Sequence, residues 1–317
     1  MANFFTSLFS SSSVEESTDG ISKSDRKKFD ILKYDGVRAQ KIGKLPYAIK
    51  CFTEALAIQE DLETMSYLVG AYTMIHEPEK ALDVLDKMVV INPEQLNTLF
   101  TRVSVLFLLN REEDAIEECN RIIGYDSSNH LAFYLMSRAR RNKGDFDSAL
   151  VDITKAIELK DDFSDAYLLR SEIYLKKENG TSALEDVEAV IAREGEEENA
   201  YLLRGIVHVF LKNVPAAEED FNKVLELNPF NEEASFRLSE LLITSERLDE
   251  ALVVLDDLVE LSPSLAKAYA ERSKLKTLTG DTTGAEEDSL KAQELQSEVS
   301  EQTGQADFSN MYKGGIF

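Results

Sequence analysis

The chain has 317 residues, 43% hydrophobic and 30% charged, with a net charge of −24. An acidic surface of this strength repels nucleic-acid phosphates and anionic lipid headgroups, which argues against a nucleic-acid or membrane-surface partner. No uninterrupted apolar run approaches the roughly 18 residues of a membrane span, so no integral membrane association is expected.

Residues 1–28 form an expected N-terminal tail, partly flexible, in which four acids balance four bases. Its start is apolar, but no Lys or Arg precedes the apolar stretch, so it makes a poor signal peptide and a cytoplasmic location is the default. Phe4, Phe5, Leu8 and Phe9 can share one helical face, either as a frayed end or as a short docking piece. Residues 10–28, rich in Ser and charge, read as a tether.

Beyond them a ladder of alanines begins: Ala48, Ala81, Ala115, Ala149, Ala183, Ala217, Ala251 and Ala285, with a first step of 33 residues and six of 34. A fixed period of this length predicts stacked helical units. With each alanine set at position 20, the units start near Phe29, Leu62, Leu96, His130, Ser164, Glu198, Glu232 and Ala266. Positions 20, 24 and 27 then carry Ala or other apolar residues on one helical face, as in Ala48, Phe52 and Ala55. Position 8 is mostly Gly or Ser, as at Gly36, Ser137, Ser171, Gly205, Ser239 and Ser273, which lets two helix backbones approach. All six prolines fall in turns or at helix starts in this phase. Gly43, Gly144 and Gly280 stand at position 15, where a first helix should end, and Asp145 and Asp281 follow to start the second.

This pattern is similar to that of the tetratricopeptide repeat family: large at position 4, small at 8, small at 20 and 27, and often Pro at 32. Asp165-Ala-Tyr-Leu-Leu-Arg170 and Asn199-Ala-Tyr-Leu-Leu-Arg204 carry the resemblance most clearly. It implies an all-α fold, a right-handed superhelical solenoid of antiparallel helix pairs, with eight repeats over residues 29–299. The last helix is expected to run on as a polar C-terminal cap, followed by an apolar tail over residues 300–317. Position 11 departs from the family's aromatic residue at Ala39, Arg140, His208 and Lys276, where looser inter-helix contacts are expected.

Chemistry finds little purchase. His76, His130 and His208 fall at unrelated positions, and Cys51 and Cys119 lie in apolar second-helix stretches that predict buried, inert thiols. Asp145, Asp147 and Asp152 fail as a calcium loop, because Leu150 and Ala156 stand where Gly and Glu are required. No catalytic residue, metal site or cofactor is therefore assigned. One polar pattern repeats: Arg102, Arg170, Arg204 and Arg272 at position 7, with Glu118, Asp186, Asp220 and Asp288 at position 23. These are either structural ion pairs or ligand contacts. The fourth unit keeps Asp152 but has Met136 at position 7.

The resemblance implies that first-helix positions 2, 5, 9 and 12 line a concave groove. Here they supply an apolar centre from Phe100, Phe107, Tyr134, Leu168, Leu202, Ile206 and Val209, with a basic point at Arg138 and Arg141. Glu233 and Glu240, beside Phe236, make an acidic flank, and Lys267 and Lys274 follow. The family's clamp for a C-terminal carboxylate is absent, since Lys33 is followed by Val37, Tyr67, Asn97 and Thr101 in that register. The tail presents Phe308, Met311, Tyr312, Ile316 and Phe317, either flexible, docked on the array or a neighbouring copy, or serving as a motif for another protein. The expected function is a non-enzymatic scaffold or adaptor that holds a peptide or helix of a protein partner. A self-associating assembly protein is the alternative, and an enzyme or enzyme regulator ranks last.

Overall fold

The computed structural model describes residues 21–302, so Phe4, Phe5, Leu8 and Phe9 and the tail residues Phe308, Met311, Tyr312, Ile316 and Phe317 lie outside the described residues. Among the described residues there are sixteen helices and no strand. They form two compact units that divide between Asp161 and Asp162. The first holds α1 (Lys23–Lys41), α2 (Leu45–Leu56), α3 (Leu62–Met74), α4 (Pro78–Ile91), α5 (Leu96–Leu108), α6 (Glu112–Tyr125), α7 (His130–Asn142) and α8 (Phe146–Leu159). The second holds α9 (Ser164–Lys176), α10 (Gly180–Glu194), α11 (Glu198–Phe210), α12 (Val214–Leu227), α13 (Glu232–Thr244), α14 (Leu248–Leu261), α15 (Ala266–Thr279) and α16 (Thr282–Gln302). Within each unit every helix packs on the next in sequence.

The alanine ladder is the hinge of each pair. Seven of the eight marker alanines are fully buried and Ala285 is 6% exposed, so nothing larger than a methyl fits there. Positions 24 and 27 bury beside them: Phe52 and Ala55, Leu85 and Met88, Ile153 and Ala156, Phe221 and Val224. Position 8 is small for two separate reasons. In three pairs the Ser hydroxyl donates to the carbonyl of the marker alanine: Ser137 to Ala149 at 2.8 Å, Ser171 to Ala183 at 2.8 Å and Ser273 to Ala285 at 2.7 Å. In two others an aromatic ring occupies the space. A Cβ on Gly36 would lie 2.5 Å from Phe52, and one on Gly205 would lie 2.6 Å from Phe221.

The turn inside each pair is also uniform. Position 15 takes a left-handed backbone all eight times: at Gly43, Gly144 and Gly280, and equally at His76, Asn110, Glu178, Lys212 and Glu246 with φ of 52–60°. The next residue's N–H bonds back to the position-11 carbonyl, as from Arg111 to Leu106 at 2.9 Å and from Arg247 to Leu242 at 2.9 Å, which closes the helix end. Asp145 and Asp281 cap the following helices, accepting from the Ser148 and Gly284 amides at 3.2 and 3.0 Å. Helix α1 starts at Lys23, ahead of the first expected unit, because Ser22 caps it by accepting from the Asp25 amide at 3.1 Å. Both cysteines are free and buried, and burial pushes the Cys119 thiol up to about 12.

Candidate functional site

The repeated Arg and carboxylate positions come together as ion pairs. Arg170 meets Asp186 through two bonds of 2.8 and 2.6 Å, Arg204 meets Asp220 at 3.0 and 2.6 Å, and Arg272 meets Asp288 at 2.8 and 2.6 Å. Arg102 bridges Glu118 and, at 2.9 Å, Asp86 of the preceding pair. Each position-23 carboxylate is buried and each guanidinium half-buried. Hydrogen bonds donated to the carboxylates raise the already high pKa of Arg170, Arg204 and Arg272.

Position 11, where the sequence pattern suggests looser contacts, is instead part of the same cluster in three pairs. Arg140 reaches within 2.7 Å of Asp152 and takes over from Met136. Lys276 adds a second cation 2.9 Å from Asp288, and His208 lies 3.8 Å from Asp220. The outcomes differ electrostatically. Burial pushes Asp152 up to about 6 despite Arg140. Burial also raises Asp288, but its hydrogen bonds to Arg272 and Lys276 prevail and hold it below the ordinary value.

On the first-helix face of the first unit, Arg138 lies 4.4 Å above the Phe107 ring, a cation–π contact between α7 and α5. Phe100 and Phe107 are half-buried and pack against the core, Tyr134 is also half-buried, and Arg141 donates to the Asn142 amide oxygen at 3.2 Å. In the second unit Leu168, Leu202 and Ile206 lean on the core, while Val209 is 44% exposed. Ile206 and Val209 of α11 meet Arg237, Glu240, Leu241 and Thr244 of α13 around a recess of about 150 Å³. The acidic flank is partly neutralised, since Arg237 lies 2.8 Å from Glu233 and 3.8 Å from Glu240. Phe236 is covered by Lys267 at 4.0 Å, and Lys274 pairs with Glu271 at 2.9 Å.

Two further recesses open on the second-helix side. In the first unit Asp86, Arg102, Asp114, Glu117, Glu118 and Arg121 surround about 420 Å³ between α4 and α6. In the second unit about 620 Å³ opens between α12 and α14, walled by Leu225, Leu238, Val254, Leu258 and Leu261 with Ser235 among them. The repeat pattern alone points to neither. A signal for the second lies in three departures within one unit: Ser235 at position 4, Leu238 at 7 and Val254 at 23.

Among the described residues, no three His, Cys, Asp or Glu side chains gather to hold a metal, and no helix is long and apolar enough to cross a membrane. Family models for the tetratricopeptide repeat match residues 134–199 and 211–273. The chain belongs to the tetratricopeptide repeat family. Two solved structures share the fold. A tetratricopeptide repeat protein from Parabacteroides merdae is 22% identical, with a TM-score of 0.53 over 68% of this chain and 84% of that one. The APC/C hetero-tetramer Cut9–Hcn1 contains a chain 15% identical, with a TM-score of 0.56 over 79% of this chain and 50% of that one. The likeness to YrrB, a tetratricopeptide repeat protein with an unusual peptide-binding site, is weaker. That chain is 23% identical, with a TM-score of 0.44 over 57% of this chain and 93% of that one. A search of curated proteins finds no match. Tetratricopeptide repeat arrays are scaffolds for protein contacts, because stacked helix pairs present extended faces.

Proposed function

We propose that this tetratricopeptide repeat protein is a non-enzymatic, cytoplasmic scaffold whose first-helix face holds a peptide or helix of a protein partner. The observation that carries this reading is the recess between α11 and α13. Val209 is left 44% exposed there beside Ile206 and Leu241, with Arg237 and Glu240 at the edge. An apolar hollow with both signs of charge at its rim suits an amphipathic segment. In the first unit Arg138, seated on Phe107, supplies a cationic and aromatic contact of the kind that anchors binding. Two free, buried cysteines are compatible with a reducing compartment.

The test is affinity capture from native lysate with quantified partners. Val209→Glu, and separately the charge reversal of Arg138 with Arg141 to Glu, should each weaken capture about tenfold while helicity and thermal midpoint hold. Undiminished capture by both variants overturns the reading.

A further inference from the structure

In the pairs α9–α10, α11–α12 and α15–α16, position 4 carries a tyrosine whose ring lies against the position-7 arginine. Arg170 is 5.4 Å from the Tyr167 ring, Arg204 is 5.2 Å from Tyr201, and Arg272 is 5.5 Å from Tyr269. Each of these arginines is tied to its position-23 aspartate. The pair α13–α14 has lost all three groups at once, with Ser235, Leu238 and Val254 in their places. Ser235 and Leu238 are buried but smaller than what they replace, and the vacated slot is the 620 Å³ recess. Its walls are mostly aliphatic with Ser235 among them, while Asn222, Glu226 and Asp257 stand at its rim. An aliphatic floor under a polar rim favours an occupant with an apolar side chain to bury and polar groups at its edge.

We propose that the occupant is the chain's own C-terminal segment, residues 308–317, with Tyr312 entering the vacated slot. This segment holds Phe308, Met311, Tyr312, Ile316 and Phe317, and Lys313 is its single charged side chain. Tyr312 followed by Lys313 brings back the aromatic ring and the base missing from positions 4 and 7 of α13, and Lys313 faces the acidic rim of Glu226 and Asp257. The geometry of the tether agrees. Short turns reverse the chain between α14 and α15 and again between α15 and α16, so α16 runs in the same direction as α14. α16 therefore ends toward the same end of the unit as Leu258 and Leu261, about two turns further out. The recess lies beyond α14, about three helix spacings from α16, on the order of 30 Å. The residues from Gln302 to Tyr312 can span about 35 Å when extended, enough to reach it. This contact lies on the second-helix side and leaves the first-helix face untouched.

The test is limited chymotrypsin digestion of the dilute full-length protein, following cleavage after Phe308 by mass spectrometry. Two variants are compared with the parent. The first fills the slot with the residues of the other pairs, Ser235→Tyr with Leu238→Arg and Val254→Asp. The second, Tyr312→Ala, changes the tail alone and leaves the folded units as they are. Cleavage in both should be about tenfold faster than in the parent, because proteolysis follows the population of the released tail. Equal rates in parent and Tyr312→Ala overturn the proposal, even if the filled variant fails to fold. Protection that grows with protein concentration also overturns it, by giving the slot to the tail of a second copy. Protection that appears only when lysate is added assigns the slot to a partner segment and overturns it too.

Discussion

The recess between α4 and α6 and the recess between α12 and α14 use equivalent repeat positions for opposite chemistry. The first is built around Arg102 and Glu118, with Asp86 and Arg121 beside them. The second is built around Leu238 and Val254, with aliphatic neighbours from the flanking helices. Both leave the marker alanines Ala115 and Ala251 fully buried and the pair intact. The scaffold therefore accepts either a matched ion pair or a matched apolar pair at positions 7 and 23. Where position 7 offers no base, as at Met136, the buried Asp152 takes its cation from Arg140 at position 11. A buried charge pair adds little net stability over an apolar pair of similar size, but a single unpaired charge is expensive.

That asymmetry gives the largest expected effect. Arg102→Met leaves Glu118, only 4% exposed, with no cation closer than Arg121 at 3.9 Å. The loss should be about 3 kcal/mol in urea denaturation. Changing both members to the residues of the other recess, Arg102→Leu with Glu118→Val, should return stability to within about 1 kcal/mol of the parent. If the double variant is as unstable as the single one, the two sites are not interchangeable and the comparison breaks.

A smaller effect distinguishes a third version of the cluster. Asp152 and Asp288 occupy the same repeat position, yet the first is pushed up to about 6 while the second is held low. Burial lifts both carboxyls, more strongly at Asp152, and one cation opposes it there against two at Asp288. Asp152 binds its proton more tightly in the folded than in the unfolded protein, whose carboxyl titrates near 3.8. Between those two values the folded state holds more protons, so stability falls as pH rises through the interval and is level on either side. The fall should be of the order of 1–2 kcal/mol after allowance for solvent screening. Asp152→Asn should flatten it, which urea melts at pH 4 and 7 would show; an unchanged slope places the titration elsewhere.

Most of the scaffold is legible in the amino-acid sequence. The alanine period locates the helix pairs, and the prolines and Gly43, Gly144 and Gly280 locate turns, because backbone restrictions act locally. The pairing of Arg170 with Asp186 is also legible, because both residues recur in step. What stays hidden depends on neighbours across helices. Arg140, His208 and Lys276 look like faults in packing, and only the fold shows that position 11 faces the position-23 carboxylate. Ser235 looks like one exception in a column, and its meaning requires Leu238 and Val254 to be seen around the same space. On the first-helix face, Ile206 and Val209 do share a recess, but Arg237 and Leu241 complete it from positions that the expected groove does not include.

The smallest effect lies in the turns that follow the two first helices. Asn110 in the third pair and Glu246 in the seventh both hold the left-handed conformation, with φ of 52° and 60°. The same position is glycine at Gly43, Gly144 and Gly280, so the backbone there is set by the turn and not by the side chain. A left-handed conformation costs a residue with a Cβ roughly 1–2 kcal/mol, less for Asn, whose short amide tolerates it. Glycine removes that strain but gives the unfolded chain more freedom, worth about 0.4–1 kcal/mol in the opposite sense. Glu246→Gly should therefore stabilise by about 0.5 kcal/mol. Asn110→Gly should sit near zero, because the strain it relieves and the freedom it releases are of similar size. Both changes leave the Arg247 and Arg111 amides bonded to Leu242 and Leu106. Thermal melts of the two variants side by side measure the difference. Equal gains would mean that the two turns bear the same strain, and that the chemical contrast between the third and seventh pairs stops at their helices.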